Sequence, residues 1–342
     1  MQEKCYSMIV TVSIVCKIIQ ASIILPIFNG EDWIDESIIS ILNQDYKYFE
    51  LLIVNDGSYD SSEQKIMQYI KLDERIKYLP KKHSGLTDSL NYGLKKATGD
   101  WIARIDVDDI SIKSRLSKQV RYIQYKKNLV LIGSNFSIKK NNLIIYNSDL
   151  PNNNKKLIYR LKNMKGFFPH SSAFFSKDKA IKVGGYRKAF IKSQDHDLWL
   201  RLSENYQIAC CKENLVSIYS HRDRITENSI GYPQYIYKFA AIFSYFARQE
   251  RNYCLEKKIN KNNFMNLLEI INQYLDDNKY SEILSLKEKI KLLLLKRNIL
   301  LILIEIPFLL IKNRYLIILI FRNIFFNRNI AYEIFQKYKN IL

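Results

Sequence analysis

Acidic residues are scarce in this 342-residue chain: 34 aspartates and glutamates face 53 lysines and arginines, for a net charge of +19. That imbalance calls for an anionic partner, and nucleic acid, anionic lipid and phosphorylated substrates all qualify. Cysteine is also scarce. Cys5, Cys16, Cys210, Cys211 and Cys254 are odd in number and show no C-x-x-C spacing. This excludes a disulfide framework and a structural zinc, and leaves reduced, mostly buried thiols of a cytosolic protein. No internal repeat is present, and no Gly-rich phosphate loop follows the first apolar strand, which ends Pro26-Ile-Phe-Asn-Gly30. Long apolar runs are missing as well. Met8–Ile19 is interrupted by Lys17 and falls short of the ~20 residues a spanning helix needs. With no small-residue cleavage site in view, residues 1–20 read as an extension, dispensable or adding a strand, and not as a signal peptide.

What is there suffices for a large core: 47% of residues are hydrophobic and 13% aromatic. Ser22–Phe28 and Phe49–Val54 are continuous apolar runs closed by Asn29-Gly30 and by Asn55-Asp56-Gly57-Ser58. Between them Trp33, Ile34, Ser37, Ile38, Ile41 and Leu42 recur at helical spacing. Short apolar strands separated by amphipathic helices predict a parallel sheet of βαβ units. The pattern continues with a helix over 64–71, a strand over 76–79, a helix over 86–97, a strand over 101–105 and a helix over about 114–126. Residues 128–215 are less regularly patterned, and helices are expected after Pro233.

Ligands of an open parallel sheet bind beyond the carboxyl ends of its strands. Asn29-Gly30, Asp56-Gly57-Ser58 and Asp106-Val107-Asp108-Asp109 all fall at such ends. Asp-x-Asp after a strand puts two carboxylates on one side of an extended backbone, and hard oxygens of this kind suit Mg²⁺ or Mn²⁺ carrying phosphate oxygens. The competing expectation is that Asp109 and Ser111 cap the following helix. Asp195 stays open between a helix cap and a general base acting on an acceptor hydroxyl. His170, His196 and His221 lack ligand spacing with one another.

Several blocks together resemble the family 2 glycosyltransferases of GT-A fold: Ser22–Gly30, Ser40–Gln44, Phe49–Ser58, Ser84-Gly-Leu, Ser89–Leu94, Arg104–Ile110, Gly184-Gly-Tyr186 and Asp195–Arg201. They run in order across about 21–225. The resemblance implies an α/β fold with a Rossmann-like, mostly parallel sheet flanked by helices. It divides 21–225 into a nucleotide-sugar half (about 21–127) and an acceptor half (about 128–225). It implies that Pro26 and Phe28 line the nucleotide pocket with Asn29, Ser58, Gly85, Asn91 and Arg104, that Asp56 faces the base, that Asp106 lies near ribose or sugar, and that Asp108 ligates the metal with Asp106. Asp195 matches the family's catalytic base, with His170, Asp197 and Trp199 on the acceptor side. The activity implied is inverting transfer from a nucleotide-diphosphate sugar, a UDP-sugar by preference, to a glycan or lipid-linked acceptor of a bacterial surface polysaccharide such as a lipopolysaccharide or capsule, with Mn²⁺ or Mg²⁺ as cofactor. Two positions depart from the pattern: Gln194 stands where a Glu is usual, and His83, beside Lys81 and Lys82, where an Asn is usual.

The remainder, 226–342, reads as a basic, apolar helical tail. From Lys287 to Arg328 nine basic residues outnumber two glutamates among runs such as Ile299–Ile304. Lys296, Arg297, Glu305 and Pro307 break those runs, so the expectation is a helix lying on an anionic membrane at its cytoplasmic face. A helical subdomain packed on the catalytic domain and a spanning pair are the alternatives. A nucleic-acid-binding protein would explain the charge but not acidic clusters at strand ends, which repel phosphate, so no nucleic-acid partner is expected. A nucleotidyltransferase would need the missing Gly-rich loop, and a non-catalytic or regulatory nucleotide-sugar-binding protein would not need the carboxylates.

Overall fold

The computed structural model describes residues 18–126, 128–140, 142–220, 233–250 and 261–277, together with Tyr332 and Gln336. The extension 1–17, the segment 221–232 with His221, Cys5, Cys16 and Cys254, and the basic stretch 287–328 lie outside the described residues.

The first half alternates strand and helix: β1 (Ala21–Ile27), α1 (Ile34–Leu42), β2 (Phe49–Asn55), α2 (Ser62–Ile70), β3 (Ile76–Pro80), α3 (Leu86–Lys96) and β4 (Trp101–Arg104). β2, β1 and β4 pair in parallel, with β3 beside β2. Every residue of β1 and β2 is buried, because helices cover both faces of a parallel sheet. Side chains alternate between the two cores. Ile24, Leu52 and Val54 join α3 on one face, whereas Ile23, Leu25, Leu51 and Ile53 join α1 and α2 on the other.

The second half is β5 (Asp109–Ser111), α4 (Arg115–Gln124), β6 (Leu129–Lys140), β7 (Leu143–Asn147), α5 (Asn154–Lys162), a 3-10 turn (His170–Ser172), β8 (Phe174–Ser176), α6 (Lys177–Lys182), α7 (Gln194–Ser203) and β9 (Gln207–Tyr219). The strands extend one sheet in the order β3-β2-β1-β4-β8-β6-β9-β5, with β7 on β6. The stretch expected to be loosely patterned therefore holds the two longest described strands, β6 and β9, paired in parallel.

Two features create the acidic turn between β4 and β5. Ile24 accepts a hydrogen bond from the Ile105 N–H. Pro26, two residues on and facing the same neighbour, has no N–H to offer, so the β1–β4 ladder stops there. Four steps of ~4.8 Å separate β4 from β5 along the sheet, yet only residues 105–108 join them, and these are drawn into a turn by the Asp109 N–H to the Asp106 carbonyl at 3.1 Å. The sheet must therefore curl back until β5, paired with β9, stands beside the end of β4. Asp109 and Ser111 belong to this strand and not to a helix cap; the residue ahead of α4 is Ser114.

Among the described residues two helices follow, α8 (Gln234–Gln249) and α9 (Lys261–Asp277). α8 packs on α7 and α9 on α8, and their buried residues merge with the core shared by α3, α5 and α7. Arg248 of α8 bonds Glu204 at the end of α7 at 2.7 and 2.9 Å. This part of the expected tail is a helical layer on the catalytic domain. Among the described residues, no helix is long and apolar enough to cross a membrane. Cys210 and Cys211 are buried free thiols, as expected.

Candidate active site

At the seam of the curl, one carboxylate oxygen from each of Asp106, Asp108 and Asp109 lies within 4.8 Å of the others. Asp106 and Asp108 are partly exposed and Asp109 is buried. Three hard oxygen donors fit Mg²⁺ or Mn²⁺ and not a soft metal. Asp106 is held from behind. Arg104, 1% exposed, pairs with its Oδ1, and the Ser171 hydroxyl lies 2.9 Å from its Oδ2. Burial pulls the Arg104 pKa down, but the charge of Asp106, the bond to its carboxylate and the influence of Tyr186 and Asp109 together raise it. Arg104 thus supports Asp106 from inside the domain. Arg115 braces the same corner, donating to the carbonyls of Arg104 (2.9 Å) and Ala173 (3.1 Å). Burial, then the charge of Arg104, brings its pKa down to about 9.

The tips of β1 and β2 form the neighbouring wall. Asn29, in the left-handed region at φ 50°, accepts from the Tyr59 N–H at 3.1 Å and donates its own N–H to the Ser58 hydroxyl at 3.0 Å. Asp56 has donors around the whole carboxylate. Oδ1 accepts from the Ser84 N–H (3.0 Å) and Lys81 Nζ, and Oδ2 from the Gly85 N–H (2.8 Å), with His83 Nδ1 at 3.1 Å. Burial would raise its pKa, but Lys81 and these N–H groups prevail and lower it. Asp56 thereby serves as the anion at the N-terminus of α3, and a base reaching it must displace Lys81 or His83. Gly57, at φ +77°, permits the approach of the chain at His83: a Cβ there would lie 2.9 Å from the His83 backbone nitrogen. Phe28, 44% exposed, stacks against His83 (ring centroids 4.2 Å, 35°) and meets Tyr59 edge-on at 5.9 Å. Pro26 is buried.

Asp195 stands in the first turn of α7, whose N-cap is Ser193, in the left-handed region at φ 53°. It is partly exposed yet densely surrounded. Burial is the largest influence and raises its pKa, against the His196 N–H, Lys238 and Arg104, while the charge of Asp106 pushes the same way as burial. These influences put Asp195 within electrostatic reach of the acidic turn, and a raised carboxylate pKa suits a general base. Lys238, on α8, carried no signal in the sequence. Ser171 carried none either, being one of two serines after Pro169-His170.

The remaining expected residues lie behind the site. Asp197 is 0% exposed, with Oδ2 accepting from Arg201 (2.7 and 3.1 Å) and Arg187 Nε (3.0 Å), and Oδ1 paired with the same Arg187. Burial would raise its pKa; the two guanidiniums hold it far below the ordinary value. Trp199 is packed among Phe168, His170 and Phe175. Neither side chain reaches the surface, at 0% and 1% exposed. His170 donates to or accepts from the Tyr186 hydroxyl at 2.8 Å, and burial, then Arg104, keeps it neutral. Asn91 is turned toward Tyr186 and holds the same turn.

The sequence model described as glycosyl transferase family 2 matches residues 22–184. The O-antigen biosynthesis glycosyltransferase WbnJ of Escherichia coli is 36% identical over 183 residues, covering 53% of this chain and 70% of that protein. EpsE of Bacillus subtilis strain 168 is 32% identical over 219 residues, covering 62% of this chain and 77% of that one. Among solved structures, S. aureus TarS 1–349 in complex with UDP-GlcNAc superposes with a TM-score of 0.54 at 18% identity, covering 67% of this chain and 66% of that chain. At that identity the likeness establishes the GT-A fold.

Proposed function

The chain belongs to glycosyl transferase family 2, and on that premise we propose that it transfers a sugar, with inversion, from a nucleotide-diphosphate sugar to an acceptor of a cell-surface polysaccharide. The observation that carries this reading is the convergence of Asp106, Asp108 and Asp109 within 4.8 Å at the end of β4, within electrostatic reach of Asp195, whose pKa is raised.

In this reading the nucleobase stacks at Phe28 and His83 beside Asp56, and the diphosphate points along the strand ends toward the acidic turn. Asp108 and Asp106 would hold a divalent ion, Mn²⁺ or Mg²⁺, which would supply charge neutralisation for the departing diphosphate. Arg104 and Ser171 keep Asp106 in place without reorganisation during the reaction. Asp195 takes the proton of the acceptor hydroxyl as that oxygen attacks the anomeric carbon, a contribution of roughly 10²–10⁴-fold. A single displacement of this kind inverts the anomeric configuration. A uridine donor and an acceptor like that served by WbnJ, whose name assigns it to O-antigen biosynthesis, are the preferred substrates. The basic, apolar 287–328 would bring the enzyme to the anionic inner face of the membrane that carries a lipid-linked acceptor.

The test is release of nucleoside diphosphate from a panel of nucleotide sugars with Mn²⁺, read by mass spectrometry, for the full chain and for Asp108→Ala and Asp195→Ala. Loss of turnover in both variants is expected. Undiminished turnover in either would remove that residue from the site, and liposome flotation at low salt checks the membrane part separately.

A further inference from the structure

The Ser171 hydroxyl, 0% exposed, meets four polar groups. The Asp106 N–H lies at 3.1 Å, Arg104 NH1 at 3.2 Å and Asp106 Oδ2 at 2.9 Å, and Asp109 Oδ2 is in short contact. A serine hydroxyl has one proton and two lone pairs. The two N–H donors fill the lone pairs, so a single proton is shared between carboxylates from two different strands' ends. This oxygen ties the backbone of the acidic turn, the cation behind it and two of its three carboxylates to one point on the 3-10 turn His170–Ser172. That turn is fixed in turn by the Ser172 N–H to the Pro169 carbonyl at 3.0 Å, and by the Ser134 N–H to the Ser172 hydroxyl at 3.2 Å.

We propose that Ser171 is a positioning residue of the metal site: its hydroxyl fixes Asp106, a ligand in that reading, relative to Asp109, which contacts the same oxygen. The inference rests on the metal-dependent transfer proposed above. Groups that orient metal-ligating carboxylates are worth ten- to a hundredfold in metal affinity. Without the hydroxyl, Asp106 and Asp109 repel across the gap and the Arg104 guanidinium loses one acceptor.

The experiment is titration of the full-length protein with Mn²⁺ in the presence of UDP, free Mn²⁺ being read by electron paramagnetic resonance, for wild type, Ser171→Ala, Ser171→Thr and the double variant Ser171→Ala/Asp109→Asn. Metal-free UDP binding is measured alongside by calorimetry. Expected are Mn²⁺ affinity weakened about ten- to a hundredfold in Ser171→Ala, retention within a few-fold in Ser171→Thr, partial recovery in the double variant, and unchanged metal-free UDP binding. Mn²⁺ affinity within twofold of wild type in Ser171→Ala overturns the inference, as does an equal loss of metal-free UDP binding, which marks a serine needed only for folding. Should Ser171→Ala not fold, Ser171→Cys, which keeps the volume and a weaker donor, takes its place under the same criteria. A wild-type protein that binds no Mn²⁺ overturns the metal reading itself, a result distinct from a wild type and variant that bind alike.

Discussion

Asn91 holds both backbone groups of Tyr186: its Nδ2 donates to the Tyr186 carbonyl at 2.7 Å and its Oδ1 accepts the Tyr186 N–H at 3.0 Å. One side chain of α3 thereby sets the turn whose tyrosine meets His170 behind the acidic cluster. Asn91→Asp keeps the acceptor but faces a carboxylate to the carbonyl, leaving a buried group unsatisfied at a cost of about 1–3 kcal/mol. Thermal unfolding should show a midpoint lower by several degrees.

Asp195→Asn separates function from stability. Because the folded pKa is raised, ionised Asp195 destabilises the fold at pH above that value, and the penalty vanishes below the ordinary carboxylate range. The amide should therefore unfold no lower than wild type at neutral pH, while kcat falls roughly 10²–10⁴-fold and the acid limb of the pH–rate profile disappears. A preserved acid limb would assign that titration elsewhere.

His83→Ala removes one face of the Phe28–His83 pair. Stacking on an aromatic side chain contributes ~1–3 kcal/mol per base, so UDP binding by calorimetry should weaken by about five- to a hundredfold. His83→Phe should retain most of it.

Asp197→Asn leaves two arginines facing an amide in the interior. Breaking a buried ion pair from one side costs about 3–5 kcal/mol, which urea unfolding should register as a lower midpoint with an unchanged slope.

Glu50 couples stability to acid. Burial would raise its pKa, but Lys77, Ser22 and Thr98 lower it to about 2 from the ordinary 4.5. Its contribution is present above the ordinary value and is lost as pH falls toward 2. Glu50→Gln should be less stable at neutral pH and flatter between pH 4.5 and 2.

The parallel half was legible because its strands are buried on both faces and read as unbroken apolar runs, and its acidic ends stand out at turn positions. The β6–β9 pair was not. Its register shifts at Ser134/Asn135 and Asn135/Phe136, so the period-2 pattern is broken where Lys212, Glu213 and Asn214 interrupt β9. Asp197 shows a different limit. In the first turn of a helix it looks like its neighbour Asp195, and what separates them is Arg187, ten residues upstream, closing over one and not the other. The i,i+4 spacing of Asp197 and Arg201 was the available clue. Ser171 had none, since a serine becomes distinctive only through groups brought to it from β4 and β5.

The curl of the sheet also imposes an order on biosynthesis. Asp109 reaches its place by pairing with Ile218, more than a hundred residues further along. A chain emerging from the ribosome at ~5–20 residues per second can therefore assemble the parallel wall first, seconds before its acidic cluster closes. The nucleotide side and the charge-bearing side of the cleft mature at different times, and a nascent chain halted before β9 has carboxylates without a site.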